Sequence, residues 1–109
     1  MIPGYDIIPE GTEYKEMYVF VHSNEIAGIL IGREGRNVRM FEEISRTRVE
    51  FEGKDLVWAK ISGEAYDVDV AAKALWEIVH ADKVCREEIQ RIYGEVREDW
   101  RKWYIASWD

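Results

Sequence analysis

The stretch Gly28-Ile29-Leu30-Ile31-Gly32-Arg33-Glu34-Gly35-Arg36-Asn37-Val38-Arg39-Met40-Phe41 decides the fold of this 109-residue chain. An apolar run ends at Gly32. After Gly35 apolar residues return at helical spacing, with Val38, Phe41 and Ile44 three apart and Met40 beside them. The pattern predicts two short helices joined by Gly32-Arg33-Glu34-Gly35, a tight turn whose glycines let the backbone approach a ligand closely. Ser23 and Asn24 supply capping groups for the first helix. Gly-x-x-Gly alone is a common string, and its weight here comes from its neighbours.

Working outward, Lys15 to Val21 is β-branched and aromatic, which predicts a strand. Thr47 to Phe51 and Val57 to Ile61 each alternate apolar with polar, and Glu52-Gly53-Lys54-Asp55 between them makes a hairpin connection. Val68, Ala71, Ala72, Leu75, Ile78 and Val79 trace the apolar face of a third helix. Ile89, Ile92, Tyr93, Val96, Trp100, Trp103 and Tyr104 trace that of a fourth. The order is therefore β-α-α-β-β-α with one further helix. Three segments follow from it: an irregular arm over 1–14 containing Pro3 and Pro9, a compact unit over 15–80, and a helical extension over 81–109.

Composition narrows the function classes. Hydrophobic residues make up 47% and charged residues 34%, the balance of a folded, soluble chain. No apolar run reaches membrane-spanning length, and the first residues lack the pattern of a signal peptide. Cys85 is the single cysteine, which points to a reducing compartment, the cytoplasm or, alternatively, the nucleus. His22 and His80 offer no zinc-ligand spacing, and no nucleophile–base pair can be read; no metal, cofactor or catalytic residue is expected. The net charge of −7 opposes non-specific affinity for nucleic acid. Between Ile31 and Arg48, however, Arg33, Arg36, Arg39, Arg46 and Arg48 face only Glu34, Glu42 and Glu43, which leaves −9 for the rest of the chain. Arg39 has Glu42 and Glu43 at ion-pair spacing, so a surface pair is expected for it. Arg33 and Arg36 have no such neighbours.

The element order and the turn resemble the type I KH domain over roughly residues 15–80. The family's Gly-x-Ile-Ile-Gly-x-x-Gly-x-x-Ile-x-x-Ile stands here as Gly28 to Phe41, and its third strand ends on Ile61-Ser62-Gly63. Residues Ile31 to Val38 are similar to the same stretch in the KH domain of ribonuclease Y. That enzyme's hydrolase lies in a separate HD domain, and no adjacent His-Asp pair exists in this chain. One departure stands out: where the family closes its second helix with glycine, this chain has Ser45-Arg46.

The resemblance implies an α+β fold, a three-stranded antiparallel sheet with three helices on one face, here extended by a C-terminal amphipathic helix. It also implies a narrow groove for about four unpaired nucleotides of single-stranded RNA, or single-stranded DNA. Gly32, Glu34 and Gly35 would clamp the backbone with Arg33 and Arg36. Gly28, Ile29, Ile31, Val38, Val49 and Phe51 would form the floor, with Arg46 and Arg48 at the wall. Polar groups along Thr47 to Phe51 would meet base edges. The start of the second helix suits an anion, whereas Glu34 repels phosphate and weakens the clamp.

Strand alternation places Tyr18, Phe20 and Trp58 together on the sheet face away from the helices. Trp100, Trp103, Tyr104 and Trp108 are suitable covers for that face, from the same chain or from a second copy, so protein contact is expected there. Two functions stand on the sequence. One is a non-catalytic RNA-binding module that also dimerises or docks to a protein through its aromatic residues. The other is a KH-fold scaffold whose nucleic-acid binding is weak or lost.

Overall fold

A computed structural model describes the backbone of residues 13–106 and the side chains of residues 13–102. Expectations for the arm over residues 1–12, for the side chains of Trp103 and Tyr104, and for Trp108 lie outside these described residues.

The chain forms β1 (Tyr14–Phe20), α1 (Asn24–Ile31), a single 3-10 turn (Arg33–Gly35), α2 (Arg36–Ser45), β2 (Arg48–Glu52), β3 (Trp58–Glu64), α3 (Ala65–Val79) and α4 (Arg86–Ala106). The three strands make an antiparallel sheet in the order β1-β3-β2. Ile61 is its hub, paired with Met17 on one side and Val49 on the other. The sequence order and the α+β class stand as expected, with three helices and α4 completing the set.

Alternation in the strands explains which face is covered. Val19, Val49, Ala59 and Ile61 are buried under the helices. The intervening residues Tyr18, Trp58, Arg48 and Glu50 point the other way and are exposed. α3 packs across β1 and β3 through Val68, Ala71, Ala72, Leu75 and Ile78, small and branched residues that let it lie close to the sheet.

α1 is capped as the sequence suggests: the Ser23 hydroxyl accepts the Ile26 N–H at 3.3 Å. α2 ends on Arg46, which adopts the left-handed conformation (φ 59°, ψ 35°) normally given to glycine. The buried Ser45 hydroxyl donates to the Phe41 carbonyl at 2.6 Å and lies 2.6 Å from the Thr47 hydroxyl, which fixes the chain's entry into β2.

α4 is the main revision of the sequence picture. Ile89, Ile92, Tyr93 and Val96 are buried in the same core as the sheet residues. The Tyr93 ring meets Phe41 of α2 edge-on, with centroids 5.8 Å apart. α4 thus lies on the helical side, against α3 and α2. Trp100 sits on that side too, lining a cavity with Lys73, Glu77 and Asp99, and so does not cover the aromatic sheet face from the same chain.

Candidate nucleic-acid interface

The turn between α1 and α2 is built by three departures from ordinary backbone within four residues. Gly32 has φ 76°, ψ 172°; Glu34 has φ 55°, ψ 27°; Gly35 has φ 76°, ψ 15°. A Cβ on Gly32 would come within 2.8 Å of the Asn37 side chain and 3.0 Å of its backbone nitrogen, so glycine is required there by space as well as by φ. The closeness has a purpose: the Asn37 amide passes over Gly32 and donates to the Ile29 carbonyl at 3.1 Å. α2 is thereby tied back to α1. Glu34 occupies the left-handed region without glycine's freedom, a local strain on the order of 1 kcal/mol.

Charge is arranged around this turn. Arg33, Glu34, Arg36 and Arg39 are exposed. Arg39 makes no ion pair with Glu42 or Glu43, contrary to expectation. Its guanidinium instead folds back over Gly35, where a Cβ would lie 2.9 Å from Nη1. Arg39 therefore joins the turn, with Arg33 and Arg36, and sequence spacing alone had assigned it to a surface pair. Glu42 is used elsewhere: its carboxylate accepts the Val49 N–H at 2.8 Å. Val49 lies on the edge strand β2, so Glu42 satisfies a donor that the sheet leaves open.

That contact changes the expected base-reading edge. Between Thr47 and Phe51, the Val49 N–H is taken by Glu42 and the buried Thr47 hydroxyl is engaged with Ser45. Among the floor residues, Val38, Val49 and Phe51 do come together, beside Leu30, Phe41 and Ile78, around a void of about 10 Å³. That space is about what one water needs, so the floor is closely packed there. Gly28 and Ile29 lie on the exposed side of α1, and Ile31 is half-buried.

Arg46 and Arg48 are not brought to the turn. Arg46 is at the opposite end of α2, about 16 Å along the helix axis from Gly35. It lines a cavity with Tyr66, Asp67, Tyr93 and Arg97. Arg48 follows strand alternation to the uncovered sheet face and pairs with Glu50 at 3.3 Å. The aromatic residues expected on that face are there. Tyr18 is 51% and Trp58 42% exposed, and Phe20 stacks on its cross-strand partner Trp58 with centroids 4.9 Å apart. A charged row crosses the same face, with Lys60 Nζ 3.6 Å from Glu16.

Among the described residues, no cluster of His, Cys, Asp and Glu could hold a metal ion, and no helix is long and apolar enough to cross a membrane.

Comparison with known proteins places this geometry. Residues 16–77 match the family model described as KH domain. No match is found among curated proteins. Among solved structures, the 1.5 Å crystal structure of a protein of unknown function from Aeropyrum pernix is similar, with a TM-score of 0.61 and 21% identity. The likeness covers 87% of this chain and 53% of that one, so this chain spans about half the length of that protein, and the likeness is one of fold.

Proposed function

The chain belongs to the KH domain family, and from that premise we propose that it binds single-stranded RNA across Gly32-Arg33-Glu34-Gly35. KH domains are generally non-catalytic nucleic-acid-binding modules, which supports a non-catalytic role here as well. The observation that carries the reading is the convergence of three exposed arginines, Arg33, Arg36 and Arg39, on the glycine turn. α2 starts at this turn without a side-chain cap, and although the Arg36 N–H is taken by the Arg33 carbonyl, the positive end of the helix dipole favours a phosphate there. The arginines position the strand, and these contacts carry no sequence information. The likeness of Ile31 to Val38 to ribonuclease Y is extended to this turn alone and brings no hydrolysis with it.

Fluorescence anisotropy with a labelled single-stranded oligoribonucleotide at low salt tests the reading. Wild type is expected to bind, and Arg33→Asp to bind at least about tenfold more weakly. The melting temperature should be unchanged, because the Arg33 side chain has no partner among the described residues. Absence of binding by the wild type at high micromolar concentration would remove the proposal.

A second reading, a scaffold that contacts protein, is favoured by the cluster of exposed Tyr18 and Trp58 with half-buried Phe20 and by the net charge of −7. In that reading the open sheet face makes the contact, through a second copy or another protein. Trp58→Glu should then lower the oligomeric state measured by light scattering and leave RNA affinity unaltered. The two roles are compatible, since the turn and the open sheet face belong to different sides of the domain. A reducing, cytoplasmic setting fits the single Cys85.

A further inference from the structure

The second concentration of polar groups lies at the far end of α2. Arg46, Tyr66, Asp67, Tyr93 and Arg97 line a cavity of about 240 Å³ between α2, the first turn of α3 and α4. Three features set it apart from an ordinary solvated surface. The guanidinium groups of Arg46 and Arg97 form no hydrogen bond or ion pair with another described residue, although both act electrostatically on Asp67 and Tyr93. The Asp67 carboxyl is likewise without a hydrogen-bond partner among the described residues, and burial pushes its pKa up, with Glu64 adding and the two arginines opposing. Finally, Arg46 reaches the cavity from a left-handed backbone position where glycine would be easier.

Two guanidinium groups without a partner among the described residues face one cavity and match the oxygens of a phosphate. A carboxyl beside them adds an acceptor, which phosphate alone does not need and a sugar hydroxyl does. The cavity falls below the roughly 300–1,000 Å³ of sites for whole drug-sized ligands. It therefore suits a phosphate and the sugar esterified to it, not a continuous strand passing through. We propose that this cavity is a phosphate-monoester site, in which Arg46 and Arg97 hold the phosphate and Asp67 accepts a hydroxyl of the attached sugar. The ligand is a mononucleotide, either free or as the phosphorylated end of a strand. The site does not depend on the turn, which is about 16 Å away along α2.

The test titrates the full chain with adenosine 5′-monophosphate, inorganic phosphate and adenosine, following backbone amide resonances. Chemical shifts at Arg46, Asp67 and Arg97 should move with the monophosphate and stay still with adenosine. Arg97→Ala and Arg46→Gly should each weaken binding by about tenfold. Arg46→Gly should do so while raising the melting temperature, an opposition of sign that a purely structural arginine would not give. Arg33→Asp should leave monophosphate binding intact. Oligoribonucleotides that differ only in a 5′-phosphate or 5′-hydroxyl identify the source. Tighter binding of the 5′-phosphorylated strand than of the 5′-hydroxyl strand assigns a strand end, and equal binding of the two strands assigns the free nucleotide. No response to monophosphate at millimolar concentration would overturn the proposal, as would equal binding by wild type and both arginine variants, or its loss in Arg33→Asp.

Discussion

At the scale of single residues, the informative positions are those where backbone and side chain ask for different things. Arg46 and Glu34 both hold positive φ without being glycine. Arg46→Gly should raise the free energy of unfolding by about 0.5–1 kcal/mol in urea titration, the relief of left-handed strain less the added freedom of the unfolded chain. Glu34→Asn keeps a residue that tolerates this region and removes a carboxylate from between Arg33 and Arg36. RNA affinity at low salt should rise a few-fold, on the order of 1 kcal/mol or less for exposed charges. Asp67 gives a dependence on pH. Its pKa is raised above the ordinary 3.8, first by burial and then by Glu64. The folded state therefore holds a proton that the unfolded chain has already released, and stability falls as pH rises through that window. Asp67→Asn has no charge to bury. Its urea midpoint should exceed that of wild type at neutral pH, and the difference should shrink as pH falls through the window above 3.8 and level off below it. A constant difference at all pH values would show that Asp67 does not ionise at a cost.

At the scale of elements, α4 belongs to the core. Ile92→Ala should cost about 2–5 kcal/mol, read from the shift in denaturant midpoint. Removing residues 86–106 should abolish cooperative unfolding, because Ile89, Ile92, Tyr93 and Val96 leave the interior together. A truncated chain that still melts sharply would overturn this. The sequence showed that α4 is amphipathic but not which surface its apolar stripe meets, because a 3.6-residue period is silent about the partner. The strands were more legible. Period-two alternation placed Tyr18 and Trp58 on one face and Val19 and Ile61 on the other, since burial of one face fixes the parity of a whole strand. The same parity carries Arg48 away from the turn. Glu42 was not legible for the opposite reason: helical spacing offered it Arg39, while its true partner is a backbone N–H on β2 brought close only by the α2–β2 bend. Asn37 escaped notice because its role, bridging Gly32 to reach Ile29, is a matter of space and leaves no periodic trace.

At the scale of the whole molecule, the sum and the distribution of charge predict different behaviour, and salt separates them. A net charge of −7 repels a polyanion at distance and slows its approach at low ionic strength. Contact, by contrast, is governed by the few cations that replace counterions on the strand. If Arg33, Arg36 and Arg39 each meet one phosphate, the slope of log affinity against log salt should be about −2, given roughly 0.7 released counterions per contact on a single strand. Arg33→Ala should flatten that slope by about 0.7. Arg48→Ala, on the opposite sheet face and already paired with Glu50, should leave it unchanged. Anisotropy titrations of one oligoribonucleotide across a salt series measure all three slopes. A wild-type slope near zero would show that the turn does not grip phosphate. The acidic body would then prevail over the arginine turn, leaving the exposed Tyr18, Phe20 and Trp58 face as the surface on which the domain acts.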